Sequence, residues 1–148
     1  MKPYLSIVIP FRNDNYSPNA TEKLNIGLQI LINQLDEIKI ETEIIIIDWS
    51  SPDPEKPLTD EIVISGGKYV TLLSYEVSND IHSRYRGHKK RNLVGEAAFN
   101  AGIRRSRGHF IVGKVSDTFL SKSLIPISFA LFFSSSVSNI NLPWKPQP

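Results

Sequence analysis

The sequence predicts an α/β domain, a mostly parallel sheet with helices on both faces. Residues 42–48 read Thr-Glu-Ile-Ile-Ile-Ile-Asp. Four consecutive isoleucines need cover on both faces, which marks a central parallel strand. Apolar runs of strand length also alternate with segments whose apolar residues recur at helical spacing. Strands separated by helices form parallel sheets through right-handed crossovers. Size and composition agree: 148 residues, 41% hydrophobic and 22% charged, suit one globular domain with a sizeable core.

The elements follow in order. Residues 4–10, Tyr-Leu-Ser-Ile-Val-Ile-Pro, are a short β-branched run closed by proline and read as a buried strand. Asn19 with Glu22 three residues on suggests a capped helix start. Leu24, Leu28, Leu31, Leu35 and Ile38 then form one apolar stripe, so this helix packs on the sheet. The isoleucine strand comes next and is broken by Trp-Ser-Ser-Pro-Asp-Pro. Gly66-Gly67 marks a turn before a third strand over 69–75, and a basic loop follows. Residues 93–105 read as a second helix, apolar at Val94, Ala97, Ala98 and Ala101, with Gly108 as its C-terminal cap. Residues 109–115 form a fourth strand, and Ser121 caps a last helix. Residues 136–148 are rich in Ser, Asn and Pro and read as a loose tail.

Composition narrows the chemistry. No cysteine is present, which excludes disulfides, Cys-ligated zinc and a Cys nucleophile. Three scattered histidines have no metal spacing. The net charge of +2 is unevenly spread: residues 79–108 hold eight Lys/Arg against two acids, a net +6. Such a stretch suits an anionic partner (phosphate, nucleotide or nucleic acid) or a solvated face. No signal-peptide pattern opens the chain, and the apolar stretch 124–133 is too short to span a bilayer. A cytoplasmic location is expected.

In open α/β sheets ligands bind outside the carboxyl ends of the strands. Three strand ends carry polar candidates: Pro10-Phe11-Arg12-Asn13, Asp48-Trp49-Ser50-Ser51 and Ser116-Asp117. An acid directly after an all-isoleucine strand must be paired, capping or at the rim. The chain has no Gly-x-Gly-x-x-Gly, Walker lysine or Gly-x-Ser-x-Gly motif.

Leu-Ser-Ile-Val-Ile-Pro-Phe-Arg-Asn from Leu5, Glu-Ile-Ile-Ile-Ile-Asp from Glu43, and Asn-Ala-Gly-Ile-Arg-Arg-Ser-Arg-Gly-His-Phe-Ile from Asn100 occur in that order. Together they resemble the nucleotide-sugar-binding half of family 2 glycosyltransferases, over about residues 4–121. The resemblance implies a GT-A fold, incomplete at the C-terminus. Residues 1–121 would be the nucleotide-sugar-binding half, and 122–148 a partial helix and tail. It implies a nucleotide-diphospho-sugar donor, inverting transfer to an unknown acceptor, and Mg²⁺ or Mn²⁺. Pro10, Phe11 and Arg12 would flank the nucleotide, and Asp48 would contact base or ribose. Asn100 and Gly102 would lie near the nucleotide-sugar, and Asp117 would be the last acid of the metal triplet.

The sequence departs from that family in three places. Val115 replaces the triplet's first acid, and Trp49 replaces an acid after strand two. No Asp, Glu or His follows Asp117, so no general base is assigned and the catalytic residues stay unknown. Little or no transfer by this chain alone is expected. An exposed 124–133 segment would favour self-association. The rival reading is a non-catalytic module that uses segment 79–108 to grip a phosphate-rich or protein partner; nucleic acid is the less favoured partner. A methyltransferase-like Rossmann domain is disfavoured, because no Gly-rich turn follows the first strand.

Overall fold

A computed structural model describes residues 2–14, 17–52, 58–86 and 93–121. Four strands, β1 (Leu5–Phe11), β2 (Thr42–Trp49), β3 (Val70–Val77) and β4 (Phe110–Gly113), form one sheet in the order β3-β2-β1-β4. Every pairing is parallel. The helices are α1 (Ala20–Ile38), α2 (Leu58–Glu61), α3 (Asn79–Arg86) and α4 (Gly95–Ile103). The expected α/β class, with a parallel sheet covered on both faces, is what the chain adopts.

Period-two alternation splits the core into two layers. Leu5, Ile7, Ile9, Phe11, Ile44 and Ile46 turn to one face, where they meet Leu24, Leu28, Leu31, Ile32 and Leu35 of α1. Val8, Ile45, Ile47 and Trp49 turn to the other and meet Ala98 of α4. All four isoleucines of β2 are fully buried. Each contributes on the order of 1.5–3 kcal/mol of burial free energy, so β2 can lie only at the centre. α4 approaches closely because of Gly102, where a Cβ would overlap the Val8 side chain.

At the amino ends of the strands sits a buried acid, Glu43. Its carboxylate accepts hydrogen bonds from the Ser6 hydroxyl (2.6 Å), the Arg107 amide (2.5 Å) and the Arg107 guanidinium (3.1 Å). The Gly108 amide donates to the Ser6 hydroxyl at 2.8 Å. A Cβ on Gly108 would stand 2.6 Å from the Ser6 backbone nitrogen, so only glycine fits under β1. Burial alone pushes the Glu43 carboxyl up. The Ser6 and Arg107 donors outweigh it and hold the carboxyl below its ordinary value.

The structure corrects four local readings. Asn19 does not cap α1 through its side chain; it takes a left-handed conformation (φ 56°) without a side-chain cap bond. Gly108 is not the cap of α4, which ends at Ile103 with Arg104 following; its role is the contact beneath β1. The start of the basic segment is helix α3 and not loop. Ser78 opens α3, its hydroxyl 3.5 Å from the Ile81 amide and its carbonyl accepting from the His82 amide at 3.0 Å. The fourth strand is shorter than expected, ending at Gly113. The expected helix after Ser121 and the tail lie outside the described residues.

Glu43→Gln should cost about 1–3 kcal/mol in urea unfolding, because charge-assisted donors lose their anion. The Glu43 contribution is fully present above the ordinary carboxylate pKa and is lost as pH falls through the lowered folded value. The variant should therefore show a shallower loss of stability on acidification than the parent.

Candidate functional site

A cleft of about 780 Å³ opens at the carboxyl ends of β1 and β4. Pro10, Phe11, Arg12 and Asp117, all singled out from sequence, line it together with Lys23 of α1 and Phe99 of α4. Ala20 and Gly95, the first residues of α1 and α4, also line it. Both helices thus direct their amino ends, with partial positive charge, to this edge. Asp48, Asn100 and Gly102 do not line the cleft. Asp48 lies at the end of the neighbouring strand, Asn100 is exposed on α4, and Gly102 is buried against Val8 and Ile47.

The strand-end loops are sewn together by side chains. Arg12 donates from Nη1 to the carbonyls of Trp49 (2.7 Å) and Ser50, and its Nε lies 3.3 Å from an Asp14 carboxylate oxygen. Much of its guanidinium is therefore turned onto the protein. The Ser51 hydroxyl donates to Asp48 at 2.5 Å and accepts from the Asn13 amide at 2.8 Å. Ser50 between them is buried at φ 52°, a left-handed conformation that costs a non-glycine residue free energy. Burial pushes the Asp48 carboxyl up, and nearby Glu76 adds to this; Ser51 and Arg12 oppose it.

Sequence reading missed Glu61, His82 and Lys114, and named Ser51 only as part of a strand end. Glu61 of α2 accepts from the Asn13 amide side chain (3.1 Å) and the Thr21 hydroxyl (2.9 Å), fixing the start of α1 against the β1 loop. Ser51 couples the two loops. His82 of α3 accepts the Trp49 indole N–H on Nδ1 at 2.9 Å, and Trp49 meets Tyr85 edge-on at 6.1 Å. Burial, then Arg12 and Arg86, hold the His82 imidazole below its usual pKa. Lys114 is buried just after β4. An acid on α2, a histidine and a lysine in polar company carry no periodic signal; only their position beside strand ends could have marked them.

The expected divalent ion has few donors here. Val115 offers no side-chain ligand, Asp14 is engaged by Arg12, and Asp117 is the exposed remainder of the triplet. Among the described residues no three of His, Cys, Asp and Glu gather as a metal site. A hard cation shared with substrate phosphates and water needs only one or two carboxylates from the protein, and of the expected triplet Asp117 is the one residue with such a group.

The described cations of the basic segment are also dispersed, and Lys89, Lys90 and Arg91 lie outside the described residues. Arg84 pairs with Asp80 on α3 (2.7 Å), Arg105 lies over Tyr75 on β3 (5.0 Å), and Arg107 is drawn to Glu43. Among the described residues these cations do not make one stripe.

The fold has counterparts among solved structures. S. aureus TarS (residues 1–349) matches with a TM-score of 0.52 at 17% identity, over 95% of this chain and 38% of that one. TarS in complex with UDP-GlcNAc matches with a TM-score of 0.53 at 16% identity, over 97% of this chain and 37% of that one. At such identity the likeness shows the fold. This chain spans little more than a third of the TarS chains it resembles. No family model and no curated protein matches it. Among the described residues no helix is long and apolar enough to cross a membrane.

A folded pKa raised by burial means that the ionised Asp48 side chain is disfavoured by the fold. Stability associated with this group is present below the ordinary carboxylate pKa and is lost as pH rises through the raised value. Asp48→Asn keeps an acceptor for Ser51 and removes the buried charge. Its melting temperature at pH 7 should equal or exceed the parent's; a fall of several degrees would show that the carboxylate charge itself supports the loop.

Proposed function

We propose that this chain is the donor-binding half of a glycosyltransferase-like domain and binds a nucleotide-diphospho-sugar at the carboxyl edge of its sheet. The observation that carries the reading is the cleft. It is bounded by the β1 loop, the amino ends of α1 and α4, and the turn after β4, in a fold shared with a protein crystallised with UDP-GlcNAc. Asp48 is assigned to the nucleoside. It stands beside the cleft with its carboxylate held by Ser51 and its loop held by Arg12. Phe11 and Phe99 supply apolar walls, and Lys23 supplies charge. Gly102 serves the site indirectly: it lets α4 settle on the sheet, which places Gly95 and Phe99 at the rim.

Transfer to an acceptor requires a base within hydrogen-bond reach of the attacking hydroxyl. None is assigned among the described residues, so the proposal covers donor binding, with inverting transfer as the reaction of a fuller assembly. The rival reading of a phosphate-rich or protein partner on segment 79–108 draws no support from the described arginines, which do not make one stripe.

Calorimetry with UDP and GDP tests the proposal. Binding of at least one nucleotide is expected, with Asp48→Asn weakening it by about tenfold, the loss of one charged hydrogen bond. A folded sample that gives no heat with either nucleotide would overturn it.

A further inference from the structure

We propose that α3 is a pH-operated latch, seated at the end of β2 by a hydrogen bond that only the neutral His82 ring can accept and released when that ring takes up a proton. The inference is independent of what the cleft binds.

Eight residues make α3, and His82 is the one that is buried. A helix this short is marginal by itself in water, so its seat is what maintains it. That seat is Trp49, the last residue of β2. The Trp49 indole N–H donates to the His82 Nδ1 at 2.9 Å, and both side chains are almost fully buried. Tyr85, one turn along, meets the same indole edge-on but is itself exposed. An indole nitrogen can only donate, so the Nδ1 facing it carries no proton and the neutral ring holds its proton on Nε2. Protonation sets a second donor against the first. The bond is then lost, and neither donor has water in reach to replace it.

The surroundings oppose the cation as well. The charged groups that act on His82 are Arg12 of the β1 loop and Arg86 of α3, both positive. The acids of the neighbouring elements are engaged elsewhere. Asp14 pairs with Arg12, Asp80 pairs with Arg84, and Asp48 lies opposite Glu76 at the ends of β2 and β3. Among the described residues no carboxylate is bonded to the His82 ring. Burial, with the two arginines, keeps the imidazole below its usual pKa. The contribution of the neutral, seated ring is complete above the ordinary histidine value and is lost as pH falls through the lowered one. Trp49 also accepts from Arg12 through its carbonyl, so the latch and a wall of the cleft meet in one residue.

Hydrogen exchange on the full chain tests the latch, with rates corrected for the intrinsic effect of pH. From about pH 8 to about pH 5, protection of the α3 amides should fall about tenfold or more, while the amides of β1 and β2 keep theirs. His82→Gln offers the indole a carbonyl that does not titrate, and α3 should then hold its protection within about twofold over the same range. That variant leaves Asp48 in place, so a loss of α3 protection that survives in it belongs to Asp48 and overturns the inference. Should His82→Gln fail to fold, NMR of the parent decides: the His82 ring should titrate below about 6.5, at the same midpoint as the loss of α3 protection. A midpoint at or above that value, α3 protection that ignores pH, or a loss shared equally by β1 and β2 overturns it too.

Discussion

The buried Glu43 carboxylate sets the register of the strand that carries half of the site. It gathers the Ser6 hydroxyl on β1 and the Arg107 backbone and side chain in the turn before β4, and Gly108 closes on Ser6 behind it. With that turn fixed, Leu5 pairs with Phe110 and Val8 with Gly113. β4 is only four residues long and lies at the edge of the sheet, so it has one neighbour to hold it. At about 3.3 Å per residue, the position of Lys114 and Asp117 at the far end follows from what Glu43 holds at the near end. A one-residue slip would turn Lys114 from the α1 face to the α4 face.

The carboxyl edge is built on the opposite terms. The amino edge satisfies its buried acid with three donors. The carboxyl edge keeps an acid above its ordinary pKa, a serine at φ 52° and a lysine with spare donors. Each is unfavourable taken singly. They persist because the two isoleucine-lined layers beneath are dry and closely packed, and because Arg12 and Ser51 tie the loops across the strand ends. Strained and desolvated groups of this kind collect at one edge of the sheet, while Glu43 at the other edge has three donors.

What could be read from the sequence was what repeats. The isoleucine run located the central strand, and the leucine stripe located α1, because burial on a regular element imposes a period. α3 has no such stripe: its buried residue is His82, satisfied by a tryptophan 33 positions earlier. Gly108 resembles a helix cap, yet its constraint comes from Ser6, 102 residues away. Arg12 matched a nucleotide-flanking position, but its fixed partners are carbonyls of the next strand's loop. Pro10, Phe11 and Asp117 were legible as strand-end residues, since topology alone carries them to the cleft.

The bond from the Trp49 indole to His82 also gives the molecule an optical property. Trp49 is 2% exposed, its N–H is donated to a neutral imidazole nitrogen, and Tyr85 stands edge-on to its ring. An indole in such a place emits toward the blue, and a protonated imidazole beside it is a quencher. Replacing the sequence's other tryptophan, Trp144, would leave Trp49 as the sole emitter. Its colour and brightness would then report whether α3 is seated over the ends of β2 and β3. Motion of the helix beside the ends of β2 and β3 could be followed in solution without attaching a probe.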